Sequence, residues 1–112
     1  MDLDPQTRDG AIILSPQGRI DQNTAPQFQE ALLSEVTKAS AVTVVIDMSD
    51  VGFMSSVGLR ALMMAYKQSM SSGGNLVIAD LSPVVKEVFQ ISRFDTVLNC
   101  FDNVQAALAN SG

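Results

Sequence analysis

The sequence predicts a single α/β domain over residues 1–112, with a mostly parallel mixed β-sheet and four flanking helices. Three observations support this prediction. Apolar runs of strand length alternate with amphipathic segments of helix length, which is typical of helices that connect parallel strands. The run at 42–47 is almost continuous Val and Ile, as in a strand buried on both faces. Hydrophobic residues make up 46% of the 112 residues, enough to form one core.

The N-terminal region predicts a β-hairpin. Asp9-Gly10 is a tight-turn dipeptide between the segments 3–8 and 11–20. Pro5 cannot donate a ladder hydrogen bond, so the first segment is expected to be an edge strand. The second segment is predicted as one strand, which Pro16 interrupts.

Two amphipathic helices are predicted on either side of the buried strand. The first, at about 24–38, should begin at Thr24 as N-cap, and its apolar residues share one face: Phe28, Leu32 and Val36. The residues after the strand, through Ser56, are predicted to be a loop. The second helix, at about 57–72, has an apolar stripe that should face the core: Leu59, Leu62, Met63, Tyr66 and Met70. Gly73-Gly74 should end it, because glycine adopts the left-handed conformation cheaply.

The C-terminal region predicts a third helix between two strands and then a fourth helix. A strand at 76–79 is followed by Ser82-Pro83, a typical helix start. The third helix should carry four residues on one stripe: Val85, Val88, Phe89 and Ser92. A short strand near 97–100 comes next, and Asp102 is the expected N-cap of the last helix. The predicted order is β-β-α-β-α-β-α-β-α.

Composition excludes several classes of enzyme. The chain has no histidine and a single cysteine, Cys100, so it lacks the residues for a Ser-His-Asp or Cys-His catalytic site, a structural zinc site or an internal disulfide. Dinucleotide-binding, phosphate-loop and nucleophile-elbow motifs are also missing. We therefore predict no catalytic residues, no metal, no cofactor and no enzymatic activity.

The charge balance bears on possible partners. The net charge is −5, with seven basic and twelve acidic residues. Nucleic acids and anionic membranes both attract a concentrated Lys/Arg field, so neither is predicted as a direct partner. The acidic N-terminal residues 1–10 are unlike a secretory signal, and no apolar stretch approaches the ~20 residues that span a bilayer. The predicted location is the cytoplasm.

Ser55 and Ser56 are the polar residues at the predicted start of the second helix. Each is a candidate N-cap, and each is also a candidate phosphate acceptor, since helix N-termini favour negative groups. Asp21, Asp47 and Asp50 are expected near the same rim of the sheet, because carboxyl ends of parallel strands gather there. Such acids more often satisfy loop N–H groups than perform chemistry.

The chain resembles a STAS domain, specifically the small single-domain anti-sigma-factor antagonists of bacteria. The resemblance covers nearly the whole chain and rests on four segments: Gly18-Arg19-Ile20-Asp21, the stretch from Asp47 to Met54, Ser55-Ser56-Val57-Gly58-Leu59-Arg60, and the Asp-x-Val-x-x-Ala-Leu pattern from Asp102 to Leu108. Any one of these segments is a weak signal, whereas the set is specific.

The resemblance implies a switch controlled by phosphorylation. In the family, an anti-sigma-factor serine kinase of the HATPase type phosphorylates a serine before the second helix. The unphosphorylated form binds the kinase and frees the sigma factor, and a serine phosphatase restores it. Aligned on Gly58, the usual phosphoserine position is Val57 here, Ser56 matches the first serine of the family's pair, and Ser55 replaces an acid. Phosphorylation is therefore predicted at Ser56, with Ser55 as the alternative.

The resemblance also implies a docking surface around the start of the second helix. Its predicted residues are Asp21, Asn23, Asp47, Ser49, Asp50, Met54, Gly58, Arg60 and Met64. A phosphate on Ser56 is expected to land beside Asp47 and Asp50 and to repel the partner. The chain is expected to be a monomer or a weak dimer.

Two alternative functions remain open from the sequence. A receiver-like module would carry phosphoaspartate at Asp47, although the acidic pair and the lysine that this chemistry needs are not evident. An accessory STAS subunit of a lipid or ABC transport system would dock on a transporter ATPase and use its serines only structurally. Gene neighbours distinguish the antagonist from the transport subunit.

Overall fold

The protein was analysed as a computed structural model, which describes residues 1–110. The elements in chain order are β1 (Gln6–Arg8), β2 (Ala11–Leu14), β3 (Gly18–Ile20), α1 (Ala25–Lys38), β4 (Thr43–Asp47), β5 (Val51–Met54), α2 (Ser56–Ser71), β6 (Asn75–Ala79), α3 (Pro83–Ile91), a 3-10 turn (Phe94–Thr96), β7 (Cys100–Phe101) and α4 (Val104–Asn110). The four predicted helices are all present.

The main sheet is mixed and mostly parallel, as predicted. Its strand order is β1-β2-β4-β6-β7, in which only β1 runs antiparallel to its neighbour. Asp9 and Gly10 form the turn between β1 and β2 with φ of 53° and 80°, the left-handed values that a two-residue hairpin turn requires. The strand β1 lies at the edge, which confirms the prediction from Pro5.

A second sheet of two strands was not predicted. Residues 11–20 form two strands rather than one, and the predicted loop before α2 contains β5. The strands β3 and β5 pair in parallel, with Ile20 opposite Met54. Both strands are only three or four residues long, so neither shows a clear hydrophobic period in the sequence.

The core lies on both faces of the main sheet. Alternate residues of β4 point to opposite sides: Val44 and Ile46 join the large cluster beneath α1, α2 and α3, whereas Val45 packs with Ala107 of α4. Leu62 is completely buried in the large cluster. The helix α4 therefore covers the face opposite to the other helices.

The buried side of α2 differs from the prediction. Leu59 and Leu62 are buried, but Met63 and Tyr66 are only partly buried, and Met70 is 48% exposed. Three small residues at a spacing of four, which the prediction left out, are as fully enclosed as Leu62: Ala61, Ala65 and Ser69. Since α2 packs along α1 as well as against the sheet, small side chains let the two helices approach closely.

The helix ends follow the sequence in part. Gly73 has φ of +85°, and the N–H groups of Gly73 and Gly74 bond to the carbonyl groups of Met70 and Ser69, which confirms the predicted glycine C-cap of α2. Asp102 is not the cap of α4; Asn103 Oδ1 instead accepts the N–H of Ala106 at 2.7 Å. Among the described helices, none combines the length and apolarity needed to cross a membrane.

Candidate docking site at the start of helix α2

Pairing of β3 with β5 brings the starts of two helices together. The N–H of Ser55, after β5, donates to the carbonyl oxygen of Ile20 at the end of β3, at 2.8 Å. The next carbonyl oxygen, that of Asp21, accepts the N–H of Ala25 at 2.8 Å and so begins α1. The first residues of α1 and α2 therefore lie side by side at one rim of the molecule.

The two serines have different structural roles. Ser55 is half-buried and is the N-cap of α2, with its Oγ accepting the N–H of Gly58 at 3.5 Å. Ser56 is the first residue of the helix, and it is exposed. Within residues 1–110, the hydroxyl of Ser56 makes no hydrogen bond to another protein group. The capping role considered for both serines thus belongs to Ser55 alone.

Four residues of β3, β5 and their C-terminal ends share one face. Because side chains alternate along a strand, Arg19 and Asp21 point to the same side as Phe53 and Ser55. The guanidinium of Arg19 lies 4.4 Å from the centre of the Phe53 ring, and its Nε is 3.8 Å from Asp21 Oδ2. Stacking of this kind is favourable and orients the arginine.

An open cleft of about 280 Å³ lies beside this stacked pair. Its lining residues are Asp21, Gln22, Asn23, Phe53 and Ser55. Arg19 and Phe53 were not among the predicted site residues, although both belong to the segments that carry the family resemblance. Arg19 lies two residues before Asp21, and Phe53 lies two residues before Ser55. Residues two apart on a strand point to the same side, so a strand predicted at 51–54 would have identified both residues as part of the site.

Asp21 is held as a carboxylate by its surroundings. The backbone N–H of Asn23 donates to Asp21 Oδ1 at 2.9 Å and lowers the pKa of Asp21 from its ordinary value of 3.8. Partial burial opposes this shift, whereas the N–H and hydroxyl of Thr24 and the charge of Arg19 add to it. Thr24 is the N-cap residue of α1, as predicted, but its hydroxyl makes no capping hydrogen bond. The hydroxyl instead accepts the N–H of Asp21 and donates to the carbonyl oxygen of Arg19.

Asp21 is expected to make folding sensitive to acid. Because its pKa is lower in the folded protein, the contribution is present above the unfolded value of 3.8 and is lost as the pH falls through the folded value. Denaturant unfolding at about pH 6 and about pH 3 should show a smaller acid-induced loss of stability for Asp21→Asn than for wild type. Asp102→Asn, at an exposed carboxylate, is the charge-matched control; an equal change in both variants would contradict the assignment.

The acids of the β4–β5 turn lie away from the serines. Asp47 Oδ1 accepts the N–H of Ser49 at 3.0 Å, and Ser49 and Asp50 are exposed. The strand β5 separates Asp50 from Ser55, and five extended steps span roughly 16 Å. The expectation that a phosphate on Ser56 lands beside Asp47 and Asp50 is therefore wrong. The acid at this rim is Asp21.

Two of the predicted docking residues are buried. Met54 is 1% exposed, and Gly58 is enclosed between β3 and β5. A Cβ added to Gly58 would lie 2.8 Å from Ile20 Cγ2 and from Met54 Cγ. Such a contact is closer than packed carbon atoms allow, so the absence of a side chain lets α2 sit against the strands. These two residues position the site and offer it no side-chain surface.

Arg60 and Met64 lie on the exposed face of α2, together with Ser56. The three residues are four positions apart, so they form one stripe along the helix. Asn23 is exposed at the start of α1. The structure thus brings together five predicted residues, which we term the docking face: Asp21, Asn23, Ser56, Arg60 and Met64.

Within residues 1–110, no cluster of three or more His, Cys, Asp or Glu side chains is arranged to hold a metal ion.

Comparison with known proteins agrees with this architecture. The family model of the STAS domain matches residues 2–107. The chain belongs to the STAS domain family. This STAS domain is 35% identical over 101 residues to BtrV of Bordetella bronchiseptica, which is named as an anti-sigma factor antagonist, and the match covers 90% of this chain and 86% of BtrV.

Solved structures share the same fold. The crystal structure of an anti-sigma factor antagonist from Mycobacterium paratuberculosis superposes with a TM-score of 0.85 at 26% identity, covering 96% of this chain and 90% of that one. The phosphorylated form of the Bacillus cell fate determinant SpoIIAA has a TM-score of 0.68 at 15% identity, with coverage of 95% and 96%. At this low identity, the second likeness shows the fold alone.

Proposed function

We propose that this STAS domain is an anti-sigma-factor antagonist, a non-catalytic switch that binds an anti-sigma-factor serine kinase of the HATPase type. The names of its relatives support the function, and the observation that carries the switch is the exposed Ser56 hydroxyl on the docking face. Phosphorylation of Ser56 ends binding, and a serine phosphatase restores it. The protein acts in the cytoplasm, with neither nucleic acid nor membrane as a direct partner and as a monomer or a weak dimer.

Burial and hydrogen bonding favour Ser56 over Ser55 as the phosphate acceptor. A kinase must reach the hydroxyl and transfer a phosphoryl group to it, and of the two serines only Ser56 is exposed. Phosphorylation of Ser55 would crowd the half-buried oxygen that accepts the Gly58 N–H and would place a dianion beside the Asp21 carboxylate in the cleft. Val57, at the family's usual position, has no hydroxyl.

Charge explains why phosphate at Ser56 would release the partner. A phosphoserine adds about −1.5 to −2 charges at neutral pH. The docking face already contains the ionised Asp21, and the whole chain has a net charge of −5. A kinase surface that fits this acidic face would have to accommodate and desolvate this added negative charge. The turn that contains Asp47 and the exposed residues Ser49 and Asp50 forms a second contact area at the other end of β5.

Mass spectrometry after incubation with a kinase tests the proposed function. The candidate kinase is the HATPase-type protein encoded nearest to this chain, and pull-down should recover it with the unphosphorylated protein. Incubation with ATP should place one phosphate on Ser56 and abolish recovery. Ser56→Ala should be recovered with and without ATP. Lack of binding would contradict the antagonist function, whereas binding with phosphate on Ser55, or with none, would contradict only the assigned acceptor.

A further inference from the structure

Arg60 is placed to contact a group on the Ser56 side chain. It lies four residues after Ser56 on α2, so the two Cβ atoms are about 5–6 Å apart on the same face. Side chains in a helix lean towards its N-terminus, which directs the long arginine side chain back over Ser56. Both residues are exposed, and no other element covers them.

Arg60 has no acidic partner in the unphosphorylated protein. The ion pairs within residues 1–110 are Arg19 with Asp21 and Lys38 with Glu35, and neither includes Arg60. The helix α2 contains no Asp or Glu over its whole length. In the part of the chain that the structure describes, an unpaired guanidinium therefore lies one helical turn from an exposed hydroxyl that makes no hydrogen bond of its own.

We propose that Arg60 binds the phosphate on Ser56 and leaves the docking face when it does so. The planar guanidinium donates two parallel N–H groups to two phosphate oxygens, the geometry in which arginine binds phosphate most strongly. Phosphorylation then changes the docking face twice: it adds a dianion, and it occupies the positive group that Arg60 offers to a partner's acid. This inference rests on the proposed phosphorylation of Ser56 and specifies how the phosphate acts.

Titration of the phosphate by 31P NMR tests this contact without a kinase or a partner. Phosphoserine is incorporated at position 56 during translation, and its second pKa, ordinarily about 6, is measured. The pKa should be lower in the otherwise wild-type protein than in Arg60→Gln by about 0.3 pH unit or more, because a neighbouring cation favours the dianion. The difference should shrink in high salt.

Two variants serve as controls for this titration. Lys67→Gln removes the same charge from the same helix about 16 Å from Ser56, and it should leave the pKa unchanged. Arg19→Gln removes the other arginine near this rim, which is already paired with Asp21, and its effect should be smaller than that of Arg60→Gln. The proposal is overturned if Arg60→Gln leaves the pKa at the wild-type value, or if either control shifts it as much.

The titration and the test of function have separate outcomes. A lowered phosphate pKa that depends on Arg60 supports the contact whether or not a kinase is found. An unchanged pKa overturns the contact while the antagonist function stands on its binding data. A kinase that binds the phosphoserine protein as tightly as the unmodified one would overturn the switch at Ser56, even where the NMR contact is present.

Discussion

Leu62→Ala is expected to lower the free energy of unfolding by about 2–5 kcal/mol, the range for removing a buried leucine side chain from a packed core. Leu62 is completely buried between α2 and the sheet, among side chains of the large cluster. Rigid strands on one side and α1 on the other limit how far the site can collapse, so a cavity should remain. Urea unfolding followed by circular dichroism measures the loss.

Met64→Ala is the matched control for this prediction. Met64 lies half a turn from Leu62 on the same helix, but it is 41% exposed. Truncating it should change stability by only about 0.5 kcal/mol, because no core cavity is formed. A loss below about 1 kcal/mol for Leu62→Ala, or equal losses for both variants, would contradict the assigned orientation of α2.

The long elements were predictable because their hydrophobic periods are long enough to detect. The buried strand β4 and the helices α1 and α2 are long enough for their hydrophobic patterns to be recognised in the sequence. All three form at nearly the predicted bounds. The side of α2 that packs against α1 was not predictable. The buried side of α2 includes alanine and serine, which an apolar stripe does not show, so Met70 was assigned to the core in place of Ser69.

The site was less predictable because it depends on two short strands. β5 has four residues in which Val51 and Met54 are buried, a spacing that resembles a loop or a helix as much as a strand. Treating this segment as a compact loop placed Asp47 and Asp50 beside Ser56. Because the backbone of β5 is extended, the two acids lie at the end of β5 away from Ser56. Asp21, which directly follows β3, lies near the serines instead, because β3 pairs with β5. Local sequence pattern cannot reveal such a pairing between distant segments.

The distinction between the two serines also required coordinates. In sequence, adjacent serines before a helix are equivalent candidates for N-cap and acceptor. The Ser55 N–H donates to the carbonyl oxygen of Ile20 directly after β5 ends at Met54, so Ser55 is the N-cap and Ser56 is the first residue of α2. The residue at which α2 begins therefore determines which of the two serine hydroxyls is accessible to a kinase.

Ser56→Asp is expected to weaken binding to the anti-sigma-factor kinase by about tenfold or more, since placing like charges together at an interface costs at least ~1.4 kcal/mol. The new carboxylate would be fixed on the docking face, which also contains the ionised Asp21. Aspartate is favourable in the first turn of a helix, so α2 should not fray and thermal stability should be kept. Calorimetric titration with the kinase measures the affinity, and circular dichroism checks the fold.

Ser56→Ala and Ser55→Ala complete the test of the switch. Ser56→Ala should bind like wild type and resist release by ATP, with no loss of capping energy, because Ser56 is not the cap. Ser55→Ala should lose up to about 1 kcal/mol of stability yet still be phosphorylated, since it removes only the contact to the Gly58 N–H. If Ser56→Asp and Ser56→Ala both bind and release like wild type while Ser55→Ala does not, the acceptor is Ser55. The exposed hydroxyl at the start of α2 would then be an ordinary surface group.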